Sequence, residues 1–164
     1  MFRYMFSAMV VLSLSVSGAA FAAGSSSDSS SGSYQQSGTK KQSYLMKTAT
    51  KHISDENYER AFELLKQQVS ISPDDADGWN LLGFSARKIG DFDTAKSAYA
   101  TALTLDPEHT RAMEYMGEMY LSLNQLENAE ALLEKLESLC SFNCKDRDML
   151  AAAIKRHKQK NISP

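Results

Sequence analysis

Cys140 and Cys144 are the only cysteines in this 164-residue chain, separated by Ser141, Phe142 and Asn143. Two thiols at this spacing can close a disulfide, exchange one with another protein, or hold a soft ion such as Cu(I). Haem attachment requires a His directly after the second Cys, and Lys145 stands there instead. Thiol exchange fits a thiolate at a helix start beside a sheet; a helix start is expected at Cys144, but no βαβ pattern surrounds it. Cu(I) would want further soft ligands, and only Met149 is near in sequence. In an exported chain a lone pair is most simply a structural disulfide, which would fix the corner between two helices. Redox exchange or metal handling by Cys140 and Cys144 stands as the alternative.

Little else points to chemistry. His52, His109 and His157 fall in three separate segments, without metal-ligand spacing and without a nucleophile motif, and the serines cluster only near the start. No catalytic residue, metal site or cofactor is expected, and the chain reads as a non-enzyme. The net charge of −2 and the lack of a basic stripe interleaved with aromatics point away from nucleic acid. Charge is unevenly spread. Between Leu105 and Ser138 eight acidic residues face only Arg111 and Lys135, whereas Lys145 to Lys160 holds six basic residues against Asp146 and Asp148. Solvated helix faces that attract each other within the fold explain this first, and a docking surface second.

The first 22 residues have the form of a secretory signal. Arg3 gives a positive start, Met5 to Ala19 is apolar or small, and Ala20-Phe21-Ala22 offers a cleavage site before Ala23. The apolar run is too short and too broken by serines for a membrane span, so no stable anchor is expected after cleavage. The periplasm is the leading compartment and the extracellular medium the second. Residues 23–42 are dominated by Ser, Gly, Gln and Lys, a composition of a flexible leader. A single domain is expected over 43–159.

What organises that domain is a 34-residue period. Ala61, Ala95 and Ala129 are in register, as are Tyr58, Phe92 and Leu126; Leu65, Tyr99 and Leu133; Gly83 and Gly117; and Pro73 and Pro107. A self-similar unit of this length specifies a helical solenoid, in which each unit buries its apolar face against the next. In the middle unit the first helix is predicted over about 77–89, with Asp74 or Asp75 as N-cap and Gly90 ending it in a left-handed conformation. The second is predicted over 92–105, capped by Asp91 and ended by Asp106-Pro107. Gly83, Gly117, Ala95 and Ala129 are small so that the two helices of each pair approach closely, while Trp79, Leu82, Tyr99 and Leu103 cover the contact to the adjacent pair.

Trp79, Leu82, Gly83, Ala95, Tyr99, Ala102 and Pro107, at their places in the unit, resemble the tetratricopeptide repeat family. The resemblance implies an all-α, right-handed solenoid of three helix-turn-helix units, at about 42–75, 76–109 and 110–143, closed by a capping helix at about 144–159 that carries Met149, Leu150, Ala153 and Ile154 on one face. Seven helices are expected. The first unit departs most, with Leu45, Thr48, Ala49 and His52 where the pattern prefers Trp, Leu, Gly and Tyr.

The resemblance also implies where a partner would lie. Its groove positions fall here on Met46, Lys47 and Thr50; on Asp77, Asn80, Leu81, Phe84, Arg87 and Lys88; and on Arg111, Glu114, Tyr115 and Glu118. Phe84 and Tyr115, aromatic among charges, suit the anchoring of a protein or peptide segment. The family's carboxylate clamp would ask for Lys, Asn, Asn, Lys and Arg where Met46, Thr50, Leu81, Arg111 and Tyr115 stand, so only Arg111 is compatible and that ligand class is not expected. The expectation is therefore an exported adaptor that binds a partner in its concave groove, with its oligomeric state open.

Overall fold

The computed structural model describes residues 32–162 of the chain. The signal-like segment and the leader up to residue 31 lie outside the described residues. Seven helices follow among those described: α1 Gly32–Ser54, α2 Tyr58–Ile71, α3 Ala76–Lys88, α4 Phe92–Leu105, α5 Thr110–Ser122, α6 Leu126–Leu139 and α7 Lys145–Ile162. The architecture is an all-α solenoid of three helix pairs and a seventh helix.

Polar side chains set the helix starts. Asn57, Asp75 and Asp91 each accept a backbone N–H from the first turn of α2, α3 and α4, at 3.2, 3.0 and 3.1 Å. At α5 the acceptor is His109 Nδ1, 3.2 Å from Ala112 N, and Gln125 before α6 makes no such bond. The turn inside each pair repeats as faithfully as the core. Glu56, Gly90 and Asn124, spaced by 34, have φ of 58, 86 and 56°. The left-handed residue predicted at Gly90 is thus present in all three units, with glycine in only one of them.

Ala61, Ala95 and Ala129 are fully buried where the paired helices cross. At Gly83 a Cβ would come within 2.8 Å of the Tyr99 ring, so this glycine lets α3 close on α4 as expected. Gly117 differs. A Cβ there would meet Leu150 Cδ1 of α7 at 2.5 Å, which corrects the expectation that Gly117 faces its own pair. The space freed by this glycine is filled by the closing helix. Trp79 packs half-buried against the first core cluster, of Leu45, Ala49, Leu64, Leu65 and Leu82 among others, and its Nε1–H donates to Pro73 O at 2.9 Å.

At the other end Leu150, Ala153 and Ile154 of α7 join Met113, Leu121, Ala129 and Leu136 in one buried cluster, and Lys158 pairs with Glu130 of α6 at 2.5 Å. The basic α7 and the acidic α6 do attract each other. At the N-terminal end α1 begins at Gly32, ten residues before the predicted Gln42, so residues 32–42 of the stretch read as leader are helical. Once a helix is nucleated by packing further along, each added residue gains one backbone bond, and nothing in this composition stops it before the glycines and serines at its start.

Candidate functional site

Helix α1 touches α3, α3 touches α5, and α5 touches α7. The odd-numbered helices therefore form an inner row, and this row carries the predicted groove positions.

On it the rings form a chain. Phe84 of α3 lies between Tyr58 at the start of α2, 6.0 Å away edge-on, and Tyr115 of α5, 4.7 Å away and tilted. Cations lie over these rings. Lys88 Nζ is 4.9 Å from the centre of Tyr58 and 5.9 Å from that of Phe84, Arg87 is 5.5 Å from Phe84, and Arg111 is 5.6 Å from Tyr115. Each such contact contributes about 0.5–1 kcal/mol when exposed, enough to hold the long side chains over the rings rather than in solvent. The two arginines are also tied to carboxylates: Arg87 to Glu118 at 2.9 Å and Arg111 to Asp146 of α7 at 2.8 Å. Thr110 Oγ1 donates to the second oxygen of Asp146 at 2.7 Å, so the first turn of α7 is fastened to the first turn of α5.

Six of the predicted residues thus come together: Phe84, Arg87, Lys88, Arg111, Tyr115 and Glu118. The other seven do not join them in the same way, and Met46 packs against the first core cluster. Lys47 and Thr50 are exposed on α1, Thr50 turning its hydroxyl back to Met46 O at 2.9 Å. Asp77 is exposed and takes the Nε2–H of His109 at 3.2 Å. That direction follows because the other nitrogen of His109 already accepts the Ala112 amide. Leu81 packs against the first core cluster. Asn80 and Glu114, equivalent positions in successive units, are buried, at 3% and 0% exposure. Both carboxylate oxygens of Glu114 and Oδ1 of Asn80 lack a hydrogen-bond partner. Burial, and then the neighbouring Glu118, push the Glu114 carboxyl up to about 7, with Arg111 and Arg87 opposing the shift. These two residues lie beneath the groove surface and are not displayed on it.

The sequence reading missed the residues that deepen this face. A cleft of about 640 Å³ opens between α5 and α7, lined by Glu118, Lys145, Asp148, Met149, Ala152 and Arg156 together with Asn143. A second hollow of about 300 Å³ adjoins it through Glu118 and Arg156. Helix α7 stands outside the repeat register, so unit positions could not point to it. The period-three-and-four spacing of Lys145, Met149, Ala152 and Arg156 was the available signal.

Cys140 and Cys144 are joined as a disulfide, with Cα atoms 5.6 Å apart, between the end of α6 and the start of α7. Arg147 donates to Cys140 O at 3.0 Å, a second tie across the same corner, and Phe142 stands out of the closed loop, 90% exposed. The bridge takes up both thiols that exchange or Cu(I) binding would use. Among the described residues no three His, Cys, Asp or Glu side chains gather as a metal site, and no described helix is long and apolar enough to cross a membrane.

Residues 80–143 match the sequence profile of the tetratricopeptide repeat. Among curated proteins, the chain is 30% identical over 112 residues to the peroxisomal targeting signal receptor of Candida albicans, which covers 63% of this chain and 19% of the receptor. It is 24% identical over 88 residues to tetratricopeptide repeat protein 37 of Xenopus laevis, covering 54% of this chain and 6% of that protein. The chain spans less than a fifth of the length of either relative. Among solved structures, the first TPR of Spaghetti (RPAP3) bound to an HSP90 peptide superposes with a TM-score of 0.65 at 18% identity, covering 76% of this chain and 95% of that one. The Yersinia enterocolitica type III secretion chaperone SycD, in complex with a peptide of the translocator YopD, gives 0.64 at 19% identity, covering 73% and 93%. The Arabidopsis OM64 TPR domain gives 0.66 at 13% identity, covering 73% and 98%.

Proposed function

From the membership of this chain in the tetratricopeptide repeat family, we infer that it is a non-enzymatic adaptor whose concave face holds a segment of a partner protein. The observation that carries the reading is the row Tyr58, Phe84 and Tyr115 with Lys88, Arg87 and Arg111 over it. Rings fixed by their neighbours lose little entropy when a side chain packs on them, and the cations around them give a polar rim. Peptide complexes of the similar domains, RPAP3 with an HSP90 peptide and SycD with a YopD peptide, support an interaction role. The absence of catalysis is part of the proposal and has its own argument. His109 spends both ring nitrogens on a helix cap and on Asp77, and His52 and His157 belong to other helices.

The proposed setting is the bacterial envelope, reached through the signal-like residues 1–22. The periplasm is the first compartment and the medium the second. Cell fractionation with mass spectrometry of the mature chain is expected to find an N-terminus at Ala23, and full-length protein in the cytosol would overturn the export reading. The groove is tested separately. A Phe84→Ala, Tyr115→Ala double variant should lose crosslinked partners while its helical circular dichroism stays unchanged; equal capture by the variant would remove the groove from the proposal. Mass measurement with and without reductant, with metal analysis, tests the cysteine pair. A stable two-proton mass deficit without copper is expected.

A further inference from the structure

The charges on the concave face do not cancel. The carboxylates that line the cleft between α5 and α7 are both paired, Glu118 with Arg87 and Asp148 with Arg147 at 2.8 Å, as is the buried Asp146 with Arg111, while Asp77, hydrogen-bonded to His109, does not line that cleft. Lys145 and Arg156 of α7 are both exposed and make no ion pair among the described residues. They stand eleven residues apart on one helix, which puts them within about 20° of each other around its axis and about 16 Å apart along it. Between them on the same face are Met149, 36% exposed, and Ala152. The cleft between α5 and α7 therefore has an apolar middle and an unmatched cation towards each end.

We propose that this cleft binds an extended acidic segment of a partner protein, with an apolar side chain seated on Met149 and Ala152 and carboxylates reaching Lys145 and Arg156. Charge complementarity selects this occupant: among the described residues the two cations are the charges on the cleft left without an ion-pair mate, so a basic segment would meet repulsion there and no unpaired carboxylate. The spacing selects the conformation. An extended chain rises about 3.3 Å per residue, so five residues span what α7 covers in eleven, and an acidic-apolar-acidic segment of that length fits the cleft. This assignment rests on the reading of the concave face as a partner surface and adds the chemistry of the partner and the place where it sits.

The probe is a fluorescein-labelled nonapeptide with Leu at its centre and an Asp-Glu pair two residues to either side. The same peptide with Lys-Arg pairs, and one with Gly for the Leu, serve as controls. Fluorescence anisotropy with the full chain is expected to show saturable binding of the acidic peptide only. The binding should weaken by about tenfold or more in a Lys145→Glu, Arg156→Glu variant and as salt is raised. Equal binding of the basic peptide, no saturation at millimolar protein, or full retention by the charge-reversed variant would each overturn the proposal. Light scattering covers a further occupant: a dimer that dissociates in the same variant would put a second copy of this chain in the cleft and also overturn it. If the Phe84→Ala, Tyr115→Ala variant loses its partner while the charge reversal leaves both partner and peptide unaffected, the groove reading stands and this one falls.

Discussion

Glu114 shows what position alone does and does not tell. Its place in the repeat correctly puts it on an inner helix, yet the repeat number fixes the face of a helix and not the depth to which neighbours cover it. Glu118, Arg111, Asp146 and Arg87 are the charged groups that act on it, and the carboxyl ends fully buried without a hydrogen bond. Ionising it there costs desolvation, and that cost appears as a stability that depends on pH. The folded carboxyl titrates near 7 against an ordinary 4.5, so the folded state holds the proton more tightly. Stability is full below about pH 4.5, declines as pH rises, and is lowest above about 7. Glu114→Gln, which resembles the protonated acid, is expected to leave the urea midpoint at about pH 4 nearly unchanged and to raise stability at pH 8 by about 1–3 kcal/mol. Equal effects at both pH values would mean that the carboxylate is solvated or paired. Caps were more legible. Asp75 and Asp91 have the short acceptor side chains that helix starts favour, and they act as predicted. His109 is outside that set and went unread, although it makes the same bond.

Among the elements, the repeated pairs were readable because their chemistry recurs, with an alanine in register in each unit, whereas the left-handed turn residue was readable only at Gly90, since Glu56 and Asn124 lack the glycine that marks it. Helix α7 was readable as amphipathic, but its partners were not, since it pairs with residues that share no register with it. Gly117 makes the point. Its counterpart Gly83 admits Tyr99 from the same unit, whereas Gly117 admits Leu150 from the closing helix. Leu150 is fully buried, so it has no room to retreat from an added methyl. Gly117→Ala is therefore expected to destabilise by about 1–3 kcal/mol through overpacking, and hydrogen exchange should show the loss of protection concentrated in α7. Adding Leu150→Ala should recover part of the loss, because the second change removes the atoms that the first one strikes. Strictly additive effects in equilibrium unfolding would show that the two side chains do not meet.

For the whole molecule, the question is what keeps a three-unit solenoid from remaining open at its last unit. The disulfide is the visible tie, but it closes a very short loop, and the entropy it removes from the unfolded chain amounts to about 2 kcal/mol. A Cys140→Ser, Cys144→Ser variant should therefore still fold. The buried face of α7 weighs more. Leu150, Ala153 and Ile154 cover Met113 and Leu136, both fully buried, and Asp146 holds Arg111 and Thr110. Full burial of each large apolar side chain is worth about 1.5–3 kcal/mol. Exposing Met113 and Leu136 while losing Leu150 and Ile154 approaches the entire stability of a domain this size, about 5–15 kcal/mol. A chain ending at Asn143 is thus expected to lose its cooperative melt or to associate through the uncovered face, as judged by circular dichroism and light scattering. A monomer melting within a few degrees of the full chain would show that units one to three close without α7. In that case α7 would be a detachable wall of the partner cleft, and its contacts with α5 would be contacts a ligand could displace.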